Sequence, residues 1–283
     1  MIKTVNFHVG LHKTGTTFVQ KVYQNQGLVD HRAAYIGPET QEYAALRSSL
    51  LQARNGVSID MSSLKSDLDA IFNKLDGVDD VFISDENIIG ATPLSYAAMH
   101  QKVLYPALEK QVDILGEVFE KYDLVFHVTT RPYISFLKSM YLDGLKYLRY
   151  GLTFDEYIEY FEIDTFHPIV VANRVADAYP GSTKVHRVDR TITMQSLKDM
   201  GLVHHDFEVN QPQPPRVNSS LPLAKASLSR IFGSIPEDQR DAVRKWIETC
   251  PVKIDDKNLK FKDVELSAHS VEKLKSIDFI VNN

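Results

Sequence analysis

Short apolar runs alternate along the chain with longer stretches of helical periodicity, the pattern of a parallel sheet covered by helices. Thr4 to Val9 reads as a first strand, followed by a glycine-bounded turn and a helix from about Thr16 to Gln26. Helical spacing recurs near Glu42 to Arg54 and Leu64 to Leu75, and Val81 to Ser84 reads as a short buried strand. A long helix is predicted over Tyr96 to Tyr122, with Pro106 as its point of interruption. Leu124 to Thr129 is a third strand, entering a helix through Arg131-Pro132, since proline is favoured at a first helical position. Val185 to Val188 is a candidate fourth strand. The run NQPQPP (Asn210 to Pro215) can continue neither a helix nor a central strand. Beyond it, helices are predicted over about Leu223 to Phe232, Glu237 to Thr249 and Ser267 to Lys275. With no internal repeat, the expectation is a single α/β domain over residues 1–283, with helical insertions and a helical C-terminal region.

Composition agrees with this picture and narrows it. At 283 residues, 43% hydrophobic and 24% charged, the chain carries enough apolar material for a sizeable core, which excludes wholesale disorder. The formal charge of −5, with no run of Lys or Arg longer than two, lacks the basic stripe that duplex binding requires. Nucleic acid is therefore not an expected partner, whereas a small anionic ligand needs only a few local cations. The single Cys250 permits neither an intrachain disulfide nor a cysteine metal cluster, and before Pro251 it reads as a packing residue. The ten histidines show no H-E-x-x-H spacing, and the adjacent His204 and His205 read as solvent-facing, so no metal is assigned. Met1 leads straight into a strand, without a charged leader and apolar h-region. No stretch approaches the ~20 apolar residues of a membrane span. The expected location is cytoplasmic; the oligomeric state is left open.

The most informative segment is His8-Val9-Gly10-Leu11-His12-Lys13-Thr14-Gly15-Thr16-Thr17, which leaves a strand and enters a helix. Free N–H groups at a helix N-terminus, together with the positive end of the macrodipole, make an anion site. Glycines let backbone approach phosphate oxygens, and Thr14, Thr16 and Thr17 add hydroxyl donors. The segment nearly matches the nucleotide-triphosphate loop Gly-x4-Gly-Lys-Ser/Thr: Gly10 and Gly15 have the right separation and Thr17 fills the Ser/Thr slot. Thr16 stands where that motif requires lysine, and the lysine present, Lys13, precedes the second glycine by two residues. A displaced lysine meets a different part of the ligand, which points away from ATP and GTP.

Here the chain resembles the sulfotransferases that use 3′-phosphoadenosine 5′-phosphosulfate (PAPS), whose first strand is followed by Lys-Thr/Ser-Gly-Thr-Thr/Ser; Lys13 to Thr17 reads KTGTT. The longer string HVGLHKTGTTFVQ is similar to bacterial members. That family also holds the 3′-phosphate of PAPS with an arginine just after a strand and a serine eight residues on. Arg131 and Ser139, in LVFHVTTRPYISFLKSMY, fall at that spacing. Eight residues of helix is a little over two turns, and arginine's planar fork suits paired bonds to phosphate. The resemblance implies a three-layer fold, its mainly parallel central sheet flanked by helices, related to P-loop nucleotide kinases. It also implies PAPS as donor substrate, 3′-phosphoadenosine 5′-phosphate as product, and no metal in the chemistry.

Sulfuryl transfer requires in-line positioning, stabilisation of the leaving phosphate and a base for the acceptor hydroxyl. Lys13 and the loop amides suit the leaving group. Glu86, at the end of the strand in VFISDEN, is the candidate base, a placement similar to that in some glycan sulfotransferases, including those acting on heparan sulfate. The soluble small-molecule branch uses a histidine that has no close counterpart here. His12, then His8 and His127, are the alternatives. The acceptor is a small molecule or a glycan. The stretch Arg216-Val217-Asn218-Ser219-Ser220-Leu221 resembles a late loop that closes over the nucleotide, making Arg216, Asn218 and Ser219 candidate phosphate contacts; Ser219 or Ser220 serves equally as a helix cap. Aromatics from Tyr133 to Phe161 suit a pocket wall for sugars or phenols, although helical spacing favours a core role. Two rivals remain. VFISDE also reads as a Walker B strand with Asp85 on Mg²⁺, making a P-loop kinase or NTPase, and a non-catalytic PAPS-binding protein would keep the same loop.

Overall fold

Along the first strand, Val5 and Phe7 alternate with Asn6 and His8, so that one face is apolar and the other polar. The computed structural model describes residues 2–26, 33–91, 103–148, 151–159, 166–188, 192, 194–199, 226, 228–230, 232–233, 235–249 and 272. Strands β1 (Thr4–His8), β2 (Ala33–Ile36), β3 (Asp80–Ser84), β4 (Asp123–Thr130) and β5 (Thr183–Arg187) form one sheet in the order β2-β3-β1-β4-β5. Every pairing is parallel. The register sets His8 level with Ser84 on one side and with His127 on the other. Parallel neighbours require crossover connections, and helices supply them. α1 (Thr16–Gln26) follows β1; α2 (Ala44–Arg54) and α3 (Met61–Phe72) lie between β2 and β3. α4 (Leu108–Val118) precedes β4; α5 (Tyr133–Lys146), α6 (Phe154–Glu159) and α7 (Pro168–Ala178) precede β5; α8 (Met194–Asp199) and α9 (Glu237–Thr249) come after it. The protein is thus α/β, with an all-parallel five-stranded sheet flanked by helices.

The chain divides into two compact units. The first, Met1–Ala91 with Tyr105–Arg131 and Val171–Val217, carries the whole sheet. In it, helices cover both sheet faces. On the apolar face Phe7 meets Phe119 edge-on at 6.0 Å, Phe119 meets Phe72 from α3, and Phe126 meets Tyr179 just after α7. On the other, Val19, Val22 and Tyr23 of α1 pack with Phe82, Val188, Ile192 and Leu197, the Tyr23 and Phe82 rings stacking at 4.3 Å. Each such fully buried side chain contributes roughly 1.5–3 kcal/mol. The second unit, Thr92–Leu104 with Pro132–Val170 and Asn218–Asn283, is helical where described. There Tyr141 stacks on Phe154 at 4.9 Å and donates its hydroxyl to Leu152 O, while Tyr133 packs on His167. Tyr133, Phe136, Tyr141, Phe154 and Tyr157 are buried, so these members of the aromatic run form core; Tyr150, Tyr160 and Phe161 lie outside the described residues.

The predicted strands and the helix at Glu237–Thr249 recur within a residue or two, and differences arise at special backbone positions. Of the long helix expected over Tyr96 to Tyr122, the described part begins at Leu108, after Pro106 and after Tyr105 at φ +57°. Residues 92–102 lie outside the described residues. Pro132 is not the first helical residue: at φ −51°, ψ 135° it is the extended cap, and Tyr133 opens the helix. β2 was not anticipated, being four residues long at the sheet edge, nor were α6, α7 and α8. Cys250, Asn210 to Pro215, His204 and His205 lie outside the described residues.

Phe7 is fully buried at the centre of the apolar face. Phe7→Ala is expected to cost about 3–5 kcal/mol, read as a lower urea midpoint at unchanged m-value. A loss below about 1 kcal/mol would show that this face is not the principal core.

Candidate functional site

β1 lies between β3 and β4, so the connections leaving all three strands converge at one sheet edge, the position where open α/β sheets bind ligands. After β1 the pairing continues briefly, with Val9 N–H donating to His127 O at 3.0 Å and Leu11 N–H to Thr129 O at 3.3 Å. The chain then reverses through Lys13 at φ +67° and Gly15 at φ +99°. For lysine this left-handed conformation costs about 1–2 kcal/mol, and such alternations turn successive N–H groups into an anion-binding concavity. Thr14 closes the turn, its N–H and its hydroxyl both donating to Leu11 O, at 3.1 and 2.6 Å. That hydroxyl therefore faces into the loop. Thr16 is also buried, and Thr17 is half-buried on the first turn of α1.

The opening N–H groups of a helix have no partner in its own ladder. Among the described residues, nothing accepts from the N–H of Gly15, Thr16 or Thr17. These donors and the helix dipole give the loop positive potential. Arg131, the first residue after β4, adds a full charge. Its Nη1 donates to Lys13 O at 2.7 Å, and its Nε is buried without a partner. Burial lowers the guanidinium pKa, and no carboxylate among the described residues pairs with it. A desolvated cation beside a helix N-terminus is the arrangement that an anion would stabilise.

Acidic residues enter from β3. Glu86 lies two residues beyond that strand, and Gln20 Nε2 donates to its Oε2 at 2.9 Å and to Ser84 O at 3.3 Å. Gln20 follows Thr16 and Thr17 by one turn of α1, so Glu86 is tethered beside the opening of that helix. Asp85 is fully buried, accepting from Arg47 Nε at 2.5 Å and from Asn87 N–H at 3.1 Å. Burial raises its carboxyl pKa, and those two bonds restrain the rise.

His12 has both ring nitrogens engaged, Nδ1 with Tyr105 Oη at 2.7 Å and Nε2 with Asn87 Oδ1 at 3.2 Å. Its backbone N–H donates to the same Tyr105 oxygen. Burial lowers its pKa to about 4 despite the Asn87 bond, which acts in the other direction. His8 and His127 lie in the sheet beneath α1, both lowered to about 3 by burial and then by the field of His186. His127 contacts Asn6 Oδ1 and His186 Nε2, each at 3.0 Å.

The first unit thus gathers Lys13, Thr14, Gly15, Thr16, Thr17, Arg131, Glu86 and His12 around the ends of β1, β3 and β4. Ser139 is half-buried on α5 in the second unit, and Arg216, Asn218 and Ser219 lie outside the described residues. Gln20, Arg47, Tyr105 and Thr129, which support this edge, were not foreseen. A sequence signal existed for two of them: Gln20 follows Thr16 at helical spacing, and Thr129 is one of two hydroxyls that close the strand DLVFHVTT. Among the described residues no three metal-ligating side chains gather, and no helix is long and apolar enough to cross a membrane. Comparison with known protein families and with curated proteins found no match. Chemically, the edge combines an anion cradle with a carboxylate able to accept a proton.

The buried histidines make stability depend on pH in a definite direction. His8, His12 and His127 all have folded pKa values below the ~6.5 of the unfolded chain. Their contribution is complete above that pH and is lost as pH falls towards about 4 for His12 and about 3 for His8 and His127. Below pH 6 each adds a slope approaching about 1.4 kcal/mol per pH unit. Urea midpoints at pH 7.5, 6 and 5 should fall in that order, and His127→Gln should reduce the slope. Equal slopes in the two proteins would contradict a buried neutral His127.

Proposed function

We propose that the protein is a PAPS-dependent sulfotransferase, built on a P-loop nucleotide-kinase-like domain and transferring a sulfuryl group to a hydroxyl acceptor. The observation that carries this reading is Arg131: a half-buried guanidinium, without a carboxylate partner among the described residues, tied to the carbonyl of the lysine in a KTGTT loop. A cation placed after β4, apart from the N–H cradle of Gly15 to Thr17, provides for a second anionic group on the ligand. That requirement suits a nucleotide carrying a 3′-phosphate. The buried unpartnered Nε of Arg131 and the open donors of the loop are the features that fit PAPS.

When bound, PAPS supplies the activated sulfuryl group and a phosphate leaving group. In this reading Lys13 and the N–H groups of Gly15, Thr16 and Thr17 hold the 5′-side anion and stabilise charge on the leaving oxygen. Arg131 holds the 3′-phosphate; by the resemblance Ser139 shares that phosphate, and Arg216, Asn218 and Ser219 are candidate contacts to a phosphate of PAPS. Glu86, oriented by Gln20 through Oε2, takes the acceptor's proton. His12 is less suited to that role, both its ring nitrogens being engaged within the protein. A glycan is the acceptor proposed, on the likeness of Glu86's place after its strand to that in some glycan sulfotransferases, and a cytoplasmic site of action is part of the proposal.

A kinase or NTPase needs an acidic group free to position Mg²⁺ after β3. Asp85 is buried against Arg47 and Asn87 N–H instead, and Thr16 occupies the lysine slot. Calorimetric titration without Mg²⁺ separates the two. 3′-Phosphoadenosine 5′-phosphate should bind at least tenfold more tightly than ADP, and Arg131→Ala should abolish that preference, as expected for loss of a charged hydrogen bond of ~1.5–3 kcal/mol. Stronger ADP binding, enhanced by Mg²⁺, would establish the nucleotide-triphosphate reading.

Two further variants test turnover. Lys13→Ala is expected to reduce it by about 10²–10³. Glu86→Gln should keep the affinity for 3′-phosphoadenosine 5′-phosphate and lose transfer. Transfer at the wild-type rate in Glu86→Gln would place the base elsewhere; tight binding without turnover in the wild type, across hydroxyl acceptors, would leave a binding protein.

A further inference from the structure

Beneath the loop, four polar side chains from three adjacent strands and the loop itself make a continuous chain. Ser84 Oγ lies 3.0 Å from His8 Nδ1, His8 Nε2 lies 3.2 Å from Thr129 Oγ1, and Thr129 Oγ1 lies 2.9 Å from Thr14 Oγ1. All four residues are buried, so each polar atom has to find its partner within the protein. Proton counting then orients the chain. Thr14 has one hydroxyl proton, and it goes to Leu11 O, which can only accept. The Thr129–Thr14 bond must therefore take its proton from Thr129. Thr129, with its own proton committed, accepts from His8 Nε2–H. The neutral His8 ring then has a bare Nδ1, which accepts from the Ser84 hydroxyl. Every link is satisfied in one direction only, from β3 through β1 and β4 to the carbonyl at the start of the loop.

Gly10 belongs to the same construction. A Cβ at this position would overlap Thr129 Oγ1 and would stand 2.6 Å from His8 Nε2 and 2.7 Å from Thr16 Cγ2. It would occupy the space in which the His8–Thr129 bond is made. The first glycine of the loop thus serves the polar chain below it, whereas Gly15, at φ +99°, serves the turn itself.

We infer that this one-way relay holds the loop in its anion-binding conformation, and that His8 and Thr129 are positioning residues for it. Neither is a ligand contact: they act through Thr14, whose side chain pins Leu11 O to the turn that presents the N–H groups of Gly15, Thr16 and Thr17. The consequence for donor affinity rests on the sulfotransferase reading; the relay and its effect on the loop do not.

The test combines ¹⁵N NMR of the full chain with calorimetry, on the wild type, Thr129→Ser and Thr129→Val. In the wild type, His8 should carry its proton on Nε2 with Nδ1 unprotonated. Thr129→Ser keeps the hydroxyl and should leave the amide resonances of Gly15, Thr16 and Thr17 in place, with the affinity for 3′-phosphoadenosine 5′-phosphate within about twofold of wild type. Thr129→Val keeps the shape but neither accepts nor donates; it should shift those amides and weaken binding about tenfold, as expected for one unpaired buried hydrogen bond. A His8 proton on Nδ1, or wild-type loop amides in Thr129→Val, would overturn the relay. Failure of the wild type to bind 3′-phosphoadenosine 5′-phosphate would instead remove the sulfotransferase reading, with the tautomer and amide shifts still deciding the relay. Should Thr129→Val not fold, the wild-type tautomer and the Gly10→Ala variant, which should shift the same amides, decide it.

Discussion

Parallel pairing on both sides of β1 is the constraint from which the rest of this molecule follows. It brings the ends of β3, β1 and β4 to one level, with Ser84, His8 and His127 in register across the sheet. It also lets a single strand serve two purposes. Val5 and Phe7 enter an apolar interior bounded by Phe72, Phe119, Phe126 and Tyr179, while Asn6 and His8 enter a polar layer beneath α1. Both faces supply burial energy, and the face that carries Asn6 and His8 supplies directional bonds as well. The loop that leaves β1 rests on both.

The charges at this edge are separated by function. Asp85, buried and level with the strand ends, is matched by Arg47, so its charge is compensated within the protein. Glu86, the next residue, accepts instead from the neutral amide of Gln20. On the other side of β1, Arg131 donates to Lys13 O and pairs with no carboxylate among the described residues. The three histidines nearest the loop, His8, His12 and His127, are neutral near pH 7, because burial lowers each well below the ordinary imidazole value. Among the described residues, the positive potential at this edge therefore comes from Lys13, Arg131 and the backbone N–H groups, and not from these three histidines.

How far the sequence revealed this depends on the range over which each feature is determined. β1, α1, β3 and β4 were legible because their apolar runs are buried and their boundaries are marked by glycine, threonine or proline. β2 was not, since four residues at a sheet edge carry too little periodicity, and its identity depends on pairing with β3. In the site, KTGTT was legible as an anion loop and Arg131 as a residue near it. The partners that hold His12 were not: Tyr105 is 93 positions away and Asn87 is 75. Thr14 was read as a ligand-facing hydroxyl, but its proton goes inward, which only the position of Leu11 O reveals. Lys13 at positive φ is likewise invisible in sequence, where a lysine gives no sign of a left-handed backbone.

The shared space at Gly10 and Thr129 has a consequence for inheritance. Two positions 119 apart in the chain occupy adjoining volume, because the contact that needs the hydroxyl at one excludes a methyl at the other. A side chain at position 10 would meet His8 Nε2 and Thr16 Cγ2 as well as Thr129 Oγ1, so a smaller residue at 129 still leaves position 10 closed to alanine. Position 129 can change by itself as long as it keeps a hydroxyl, whereas position 10 is confined to glycine by three neighbours at once.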